Sequence, residues 1–582
     1  MESISSAEPV GQSSAGANGI PQAHGPAAEI QSSQQRSESK KEDGHVYRPE
    51  LIIGLIGPVG CGLATVVQEA ERQLARFDYI TRVIKVSAEF REIKADPWQS
   101  LPAQGPREER YRRYMDAGDE LRRRLKRNDA AMIPTLSRLG RIRAEITGKP
   151  IDEPEPAERV AFIIDSLKTP EELLLLRGIY GQRFIAISAY APREFRRQTL
   201  TQEIAESHFE NMSEKHLGEA AEIIDRDERG KQADPSGQNV SDAFALADLF
   251  VDSESPTSIE TNLPRFFDLL FGSPFITPTR DEYCMFIAHA SAVRSASLSR
   301  QVGAVVATGD GDILSVGANE VPRAGGGLYW EGDQPDGRDF VGGYDTSTKR
   351  RQILVGDILK FLLHMKWIPP DTPPATGQET KAEADAREHG IVQRELQRLT
   401  PDRFYRDLLV HDILEFYREV HAEMAALLTA ARKGITTEGC VLYTTTFPCH
   451  DCARHLVAAG IQKVVFIEPY PKSLVGQLFD DSISLDTSHP APGHVPFQTF
   501  VGVGPTRYMQ LFKMALRKDS EGRAIQWHEH LLDANVQPIS YWGGDRRLRT
   551  AFQQSEYISA FRREDVVMSD FAEPYRKLQE GR

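Results

Sequence analysis

Two short stretches carry the residues best suited to chemistry: His421-Ala422-Glu423, and Cys449-His450-Asp451-Cys452 directly after Pro448. Zinc prefers imidazole and thiolate donors in a tetrahedron, and catalytic zinc sites use three protein ligands and leave the fourth position to water. Cys449 and Cys452 are three residues apart, so both face one side of a helical turn. A helix N-terminus there favours thiolate over thiol. His421 supplies the nitrogen. Water in the open position acquires a pKa of about 7, and Glu423, not needed as a ligand, is placed to take its proton and pass it on. A structural zinc site would need a fourth protein ligand. The other cysteines, Cys61, Cys284 and Cys440, supply no second CxxC, and Cys440 and His450 are the available extras. The pattern therefore points to a catalytic zinc.

These residues need an α/β frame. HAEMAALLTAARKG reads as a helix, CVLYTTT as a strand, CHDCARHLVAAG as a helix and KVVFI as a strand. Upstream, TPTRDEYCMFIAHASAVRSAS reads as a helix with Tyr283, Phe286, Ile287 and Ala290 on one side. QVGAVVAT and DILSVGAN form a hairpin around GDGD. Between them, residues from about 331 to 410 turn polar and read as an insertion, partly helical.

The blocks RDEYCMFIAHASAVRS, QVGAVVAT…ILSVGANEVPRAGG, HAE and PCHDC, in this order, resemble the deoxycytidylate deaminase branch of the cytidine deaminase superfamily. H-x-E…P-C-x-x-C, with the glutamate as proton shuttle, is the zinc-deaminase pattern. The resemblance implies hydrolytic deamination of a deoxycytidine nucleotide, with dCMP and dCTP both open. It implies that Asn319 holds the deoxyribose 3′-hydroxyl and that Arg323, or a basic residue near it, meets phosphate. Lys472, in EPYPKSL, is a further candidate cation for the phosphate end, set against a reading as a solvated loop lysine. Two departures stand out. Glu320 follows Asn319 where the family usually has glycine, and the stretch from Arg323 to His421 is long.

The first half differs. Residues 1–45, rich in Ser, Gln, Gly, Ala and Pro, read as a disordered tail. LIIGLIG then reads as a buried strand, and Gly57-Pro-Val-Gly-Cys-Gly62 follows where a phosphate-cradling loop would lie. The full loop pattern requires Lys and then Ser or Thr; here Leu63 and Ala64 stand there, and Thr65 is one place late. Asp165 ends a second buried strand, and Arg193, Arg196 and Arg197 resemble a nucleotide-kinase lid. The expected fold class is thus α/β: a P-loop nucleotide-kinase-like parallel sheet domain over 46–258, then a cytidine-deaminase-like α/β/α domain over 259–582. Loss of the lysine and hydroxyl predicts nucleotide binding or regulation by the first domain, through Gly57, Gly60, Gly62, Thr65, Asp165 and Arg193, rather than phosphoryl transfer. The pairing is similar to bacterial anti-phage dCTP deaminases. That resemblance implies a defence role through depletion of deoxycytidine nucleotides, a homo-oligomer and an inhibitory regulator.

Composition narrows the partners. A formal charge of -14 disfavours broad nucleic-acid binding, and with it the rival reading of a single-stranded nucleic-acid cytosine deaminase, which needs a basic, aromatic-lined channel. Five sparse cysteines suit a reducing, cytoplasmic setting. The start, MESISSAEPVGQ, has no secretory pattern, and the apolar runs are too short for a membrane span. A non-catalytic nucleotide sensor is the remaining alternative; the intact HAE and PCxxC motifs count against it.

Overall fold

The structure is a computed structural model. It describes residues 49–580 except 212–213, 234, 366, 368–379, 401–407, 409, 411–412, 414–415, 469–472, 486–490, 514–516, 519 and 525–545. The expected tail, 1–45, and part of the expected insertion lie outside the described residues.

Two six-stranded sheets organise the chain. The first contains β1 (Leu51–Ile56), β2 (Ile80–Lys85), β3 (Val160–Leu167), β4 (Phe184–Tyr190) and β5 (Leu249–Asp252). These run parallel in the spatial order β5-β4-β1-β3-β2. Such strands are buried on both faces, and β1 shows it. Ile52 and Ile56 enter one apolar cluster, whereas Leu51, Ile53 and Leu55 enter the other.

The second sheet contains β6 (Gly303–Ala307), β7 (Ile313–Ala318), β8 (Val441–Thr446), β9 (Lys463–Glu468), β10 (Ile483–Ser484) and β11 (Val495–Thr499), in the order β10-β11-β9-β8-β6-β7. β6 pairs antiparallel with both β7 and β8, and β8 pairs parallel with β9. Strand alternation sorts the faces. Ala304, Val306, Leu442, Val464 and Phe466 pack with Ala422, Ala426, Ala453 and Leu456 of the helices Ala422–Arg432 and His450–Ala458. Val305, Ala307, Tyr443, Val465 and Ile467 face Cys284, Met285 and Ala288 of the helix Arg280–Ala292. Period-2 strands between helices thus give three layers.

The expected division near 258 is crossed by packing. A short strand, β12 (Gly502–Val503), leaves the second half and pairs antiparallel with β5. The Val503 N–H donates to Glu282 Oε1 at 2.8 Å, and both Glu282 oxygens also accept from Arg265, at 2.7 and 2.8 Å. One buried carboxylate therefore ties the helices Pro256–Leu270 and Arg280–Ala292 to β12. Phe500 meets Phe250 edge-on with ring centroids 5.6 Å apart. The helix Arg546–Gln579 returns to the first half as well. There Arg143, 3% exposed, sits between two carboxylates: its Nη2 donates to Glu50 at 2.9 Å and its Nη1 to Glu564 at 3.2 Å. Tyr180 Oη donates to Glu564 at 3.2 Å, and Arg563 donates to the Ile179 carbonyl at 2.9 Å.

Removing one member of a buried ion cluster strands the others, at a cost of about 3–5 kcal/mol. Arg143→Met leaves Glu50 and Glu564 facing each other without their cation. Its expected stability loss, in that range, is read by urea denaturation, and limited proteolysis should then cut the Arg546–Gln579 helix first.

Candidate active site

The ends of β7 and β8 and the starts of two helices bring the chemical groups together. His421 is the N-cap of Ala422–Arg432, and Cys449 is the N-cap of His450–Ala458, where its sulfur accepts the Cys452 N–H at 3.4 Å. N-cap residues lie where unpaired helix N–H groups favour negative charge, which suits a thiolate. The approach that sets His421 in place passes through Gly317 on β7. A Cβ there would lie 2.1 Å from the Ala422 carbonyl oxygen and 2.4 Å from the Ala426 nitrogen. Only a residue without a side chain lets the helix press this close.

His421 Nδ1 lies 3.3 Å from Cys449 Sγ and 3.4 Å from Cys452 Sγ. The three donor atoms fall within 4.8 Å of one another, and among the described residues no fourth His, Cys, Asp or Glu joins the group. Zinc bonds of about 2.0–2.1 Å to nitrogen and 2.3 Å to sulfur at tetrahedral angles place such donors about 3.5 Å apart. The donor set therefore fits zinc in both chemistry and spacing, with one coordination position left over. Cys449 is held well below the ordinary thiol range, first by the Cys452 thiol and then by His421. Burial works to lower the imidazole of His421, but the hydrogen bond and charge of Cys449 outweigh it and raise the group to about 9. A divalent cation replaces protons at such a cluster. Glu423 is 4% exposed. Burial, with the Cys449 charge behind it, pushes its carboxyl up to about 7.

The expected substrate residues are placed unevenly. Asn319 is buried beside the loop that follows Arg280–Ala292: its Oδ1 accepts from Val302 N–H at 2.8 Å, and its Nδ2 donates to the Arg300 carbonyl at 2.9 Å and toward Glu419 at 3.4 Å. Arg323 is exposed and pairs with Asp333 at 3.0 Å. Lys472 lies outside the described residues.

Sequence reasoning missed Glu419, which sits two residues before His421. Its carboxylate accepts from Ser297 Oγ at 2.8 Å and from Asn319 Nδ2 at 3.4 Å, and burial raises its pKa. Glu320, 2% exposed, gives the departure after Asn319 a purpose. Its carboxylate accepts from the Ala296 and Val321 N–H groups at 3.0 and 2.9 Å, and its backbone pairs with Val420, next to His421. A glycine could not clamp both segments. The signal available for these residues was adjacency to His421 and Asn319.

In the first half, Gly57, Gly60, Gly62 and Asp165 line one cavity of about 500 Å³ at the carboxyl ends of the parallel strands. This is where open parallel sheets take ligands. Gly60 adopts φ +81°, and a Cβ there would lie 2.6 Å from the Arg196 carbonyl oxygen. Thr65 is exposed on the helix Leu63–Arg76 and is not among the lining residues. Arg193 is turned away to Asp225 and Glu228, at 2.5 and 2.8 Å. No described helix is long and apolar enough to cross a membrane.

The cytidine and deoxycytidylate deaminase zinc-binding region matches residues 278–468, so the second half contains a zinc-binding region of that family. The deoxycytidylate deaminase of Enterobacteria phage T2 is 47% identical over 58 residues, covering 10% of this chain and 31% of the relative. The ComE operon protein 2 of Bacillus subtilis (strain 168) is 40% identical over 53 residues, covering 9% of this chain and 28% of the relative. The chain thus spans about a third of the length of the curated relatives it matches. The crystal structure of dCMP deaminase from the cyanophage S-TIM5 with dCMP and dUMP aligns at 16% identity and a TM-score of 0.20, covering 39% of this chain and all of that one.

Gly317→Ala forces the His421 helix off β7, an overpacking cost of about 1–3 kcal/mol. Zinc content, measured by elemental analysis, is expected to fall below half of the wild-type value of about one per chain. Gly309→Ala, on the same hairpin with open space around it, is expected to keep its zinc.

Proposed function

We propose that the second half hydrolytically deaminates a deoxycytidine nucleotide, dCMP and/or dCTP, to the deoxyuridine nucleotide and ammonia. The observation that carries this reading is a three-donor N, S, S group left open at one position, with buried Glu423 on the same helix turn as His421. Zinc, when held by His421, Cys449 and Cys452, supplies the Lewis acidity that makes water a nucleophile near neutral pH. Glu423 takes a proton from that water as its oxygen bonds to C4 of the base, and delivers it to the ring nitrogen. It then passes the second proton to the exocyclic amine, the C4–N bond breaks and ammonia leaves. Asn319 is assigned to the deoxyribose 3′-hydroxyl, and Arg323 and Lys472 to phosphate.

For the first half, 46–258, we propose nucleotide binding or regulation rather than phosphoryl transfer. Supporting it are the all-parallel order β5-β4-β1-β3-β2, the cavity at the Gly57–Gly62 loop, and Leu63 and Ala64 in place of the lysine and hydroxyl. Depletion of deoxycytidine nucleotides in anti-phage defence, a cytoplasmic homo-oligomer and an inhibitory regulator complete the proposal.

Glu423→Gln keeps the shape of the side chain but removes the proton carrier. Ammonia release from dCMP and dCTP is expected to fall by about 10²–10⁴-fold with zinc content unchanged; an active variant overturns the assigned role. In the same assay CMP, CTP and a C-containing oligonucleotide define the substrate, and product from the oligonucleotide alone selects the nucleic-acid reading instead.

A further inference from the structure

A phosphate-cradling loop works because its backbone N–H groups point at negative charge. In Gly57–Gly62 the chain itself supplies that charge. The Val59 N–H donates to Asp227 Oδ2 at 2.7 Å, a bond buried between residues 168 positions apart. Asp227 Oδ1 accepts from Lys168 Nζ at 3.0 Å, and Lys168 Nζ also donates to the Gly57 carbonyl at 3.0 Å. Asp227 is fully buried. The cation therefore reaches the loop from the residue after β3, while Leu63 occupies the loop's own lysine position.

We propose that Asp227 is a built-in counter-anion that fills the loop's phosphate position, so that a pyrophosphate group enters the loop only by displacing it. The inference deepens the nucleotide-binding reading of the first half and rests on it for the class of ligand.

Two further observations support the proposal. First, Asp227 is held by its own helical turn. Asp225 and Glu228 take Arg193, Glu228 also takes Arg196, and Arg226 bonds Asp116 and Asp119 at 2.7 and 2.9 Å. Withdrawal of Asp227 thus requires the helix Leu217–Ala233 to shift as a unit. Second, the adjoining cavity has both room and charge for an anion. Six cationic side chains line it against three carboxylates, in a chain whose net charge is -14. Among the described residues Arg110 forms no ion pair, and its Nε is buried without a partner. About 500 Å³ holds one small ligand. A ligand seated on Arg110 and extending a polyphosphate toward the loop meets the Asp227 carboxylate, and like charges in a buried site repel strongly.

The test is calorimetric titration of the full-length protein with inorganic pyrophosphate. Asp227→Asn retains a side-chain acceptor for Val59 N–H but loses the charge, and is expected to bind pyrophosphate at least tenfold more tightly than wild type. Adding Lys168→Met to that variant should abolish the gain. A smaller gain, or one that survives loss of Lys168, overturns the proposal. Zinc content reports whether each variant is folded; should Asp227→Asn fail that control, Asp227→Ser, which also retains an acceptor, takes its place. A parallel titration with ATP separates the two readings. If ATP binds none of the variants, nucleotide binding by the first half is wrong, whereas pyrophosphate alone decides the role of Asp227.

Discussion

The position of one helix against one strand governs the metal-binding geometry. Ala422–Arg432 lies so close to β7 at Gly317 that no side chain fits between them, and His421 is the residue immediately before that helix begins. Once the helix is seated, the imidazole points at the two sulfurs from the neighbouring helix start, because both helices pack on the same face of the second sheet. Positioning by backbone contact is stiff, and a tetrahedral metal demands such stiffness, since bond lengths tolerate only about 0.2 Å of error. Glu320 and Glu419 add a second restraint by fastening the segments on either side of Asn319 and His421 to the 295–302 loop.

The two halves share more than a linker. A single apolar cluster runs from Ile52 and Phe162 of the first sheet through Phe250 and Phe500 to Met285, Val305 and Val465 of the second. Buried polar groups repeat the connection, with Glu282 binding both Arg265 and the β12 backbone. The helix Leu217–Ala233 packs outside this cluster, with Ala220, Ile223 and Ile224 against Val59, Met115, Leu200 and Ile204.

Much of this was legible in the sequence because it rests on local patterns. The HAE and PCHDC motifs put His421 and Cys449 near helix starts, and the apolar runs in QVGAVVAT and KVVFI read as strands, as observed for β6 and β9, which bury side chains on both faces. The Gly57–Gly62 loop was likewise readable, since it follows a buried strand, whereas Asp165, read as ending its strand, lies inside β3, which continues to Leu167. What escaped depends on contacts between distant residues. Asp227 meets Val59 across 168 positions, and Arg143 meets Glu564 across 421. Neither has a spacing signature, because Asp227, Arg143 and Glu564 are ordinary charged residues on helices until the fold brings them to their partners. Arg193 looked available for a ligand for the same reason: Asp225 and Glu228, which occupy it, are 32 and 35 residues away.

The return of the Arg546–Gln579 helix to the first half has a consequence for biosynthesis. Arg143 leaves the ribosome 421 residues before Glu564. At about 5–20 residues per second, its second carboxylate arrives roughly 20–80 s later. β12 and Phe500 are also late arrivals, so the earliest sheet waits with an unfinished edge and uncovered aromatic surface while the remainder is translated. The first half therefore gains its last contacts only after residues 500–564 have been made, the reverse of the usual vectorial order in which an N-terminal domain is complete before its successor emerges.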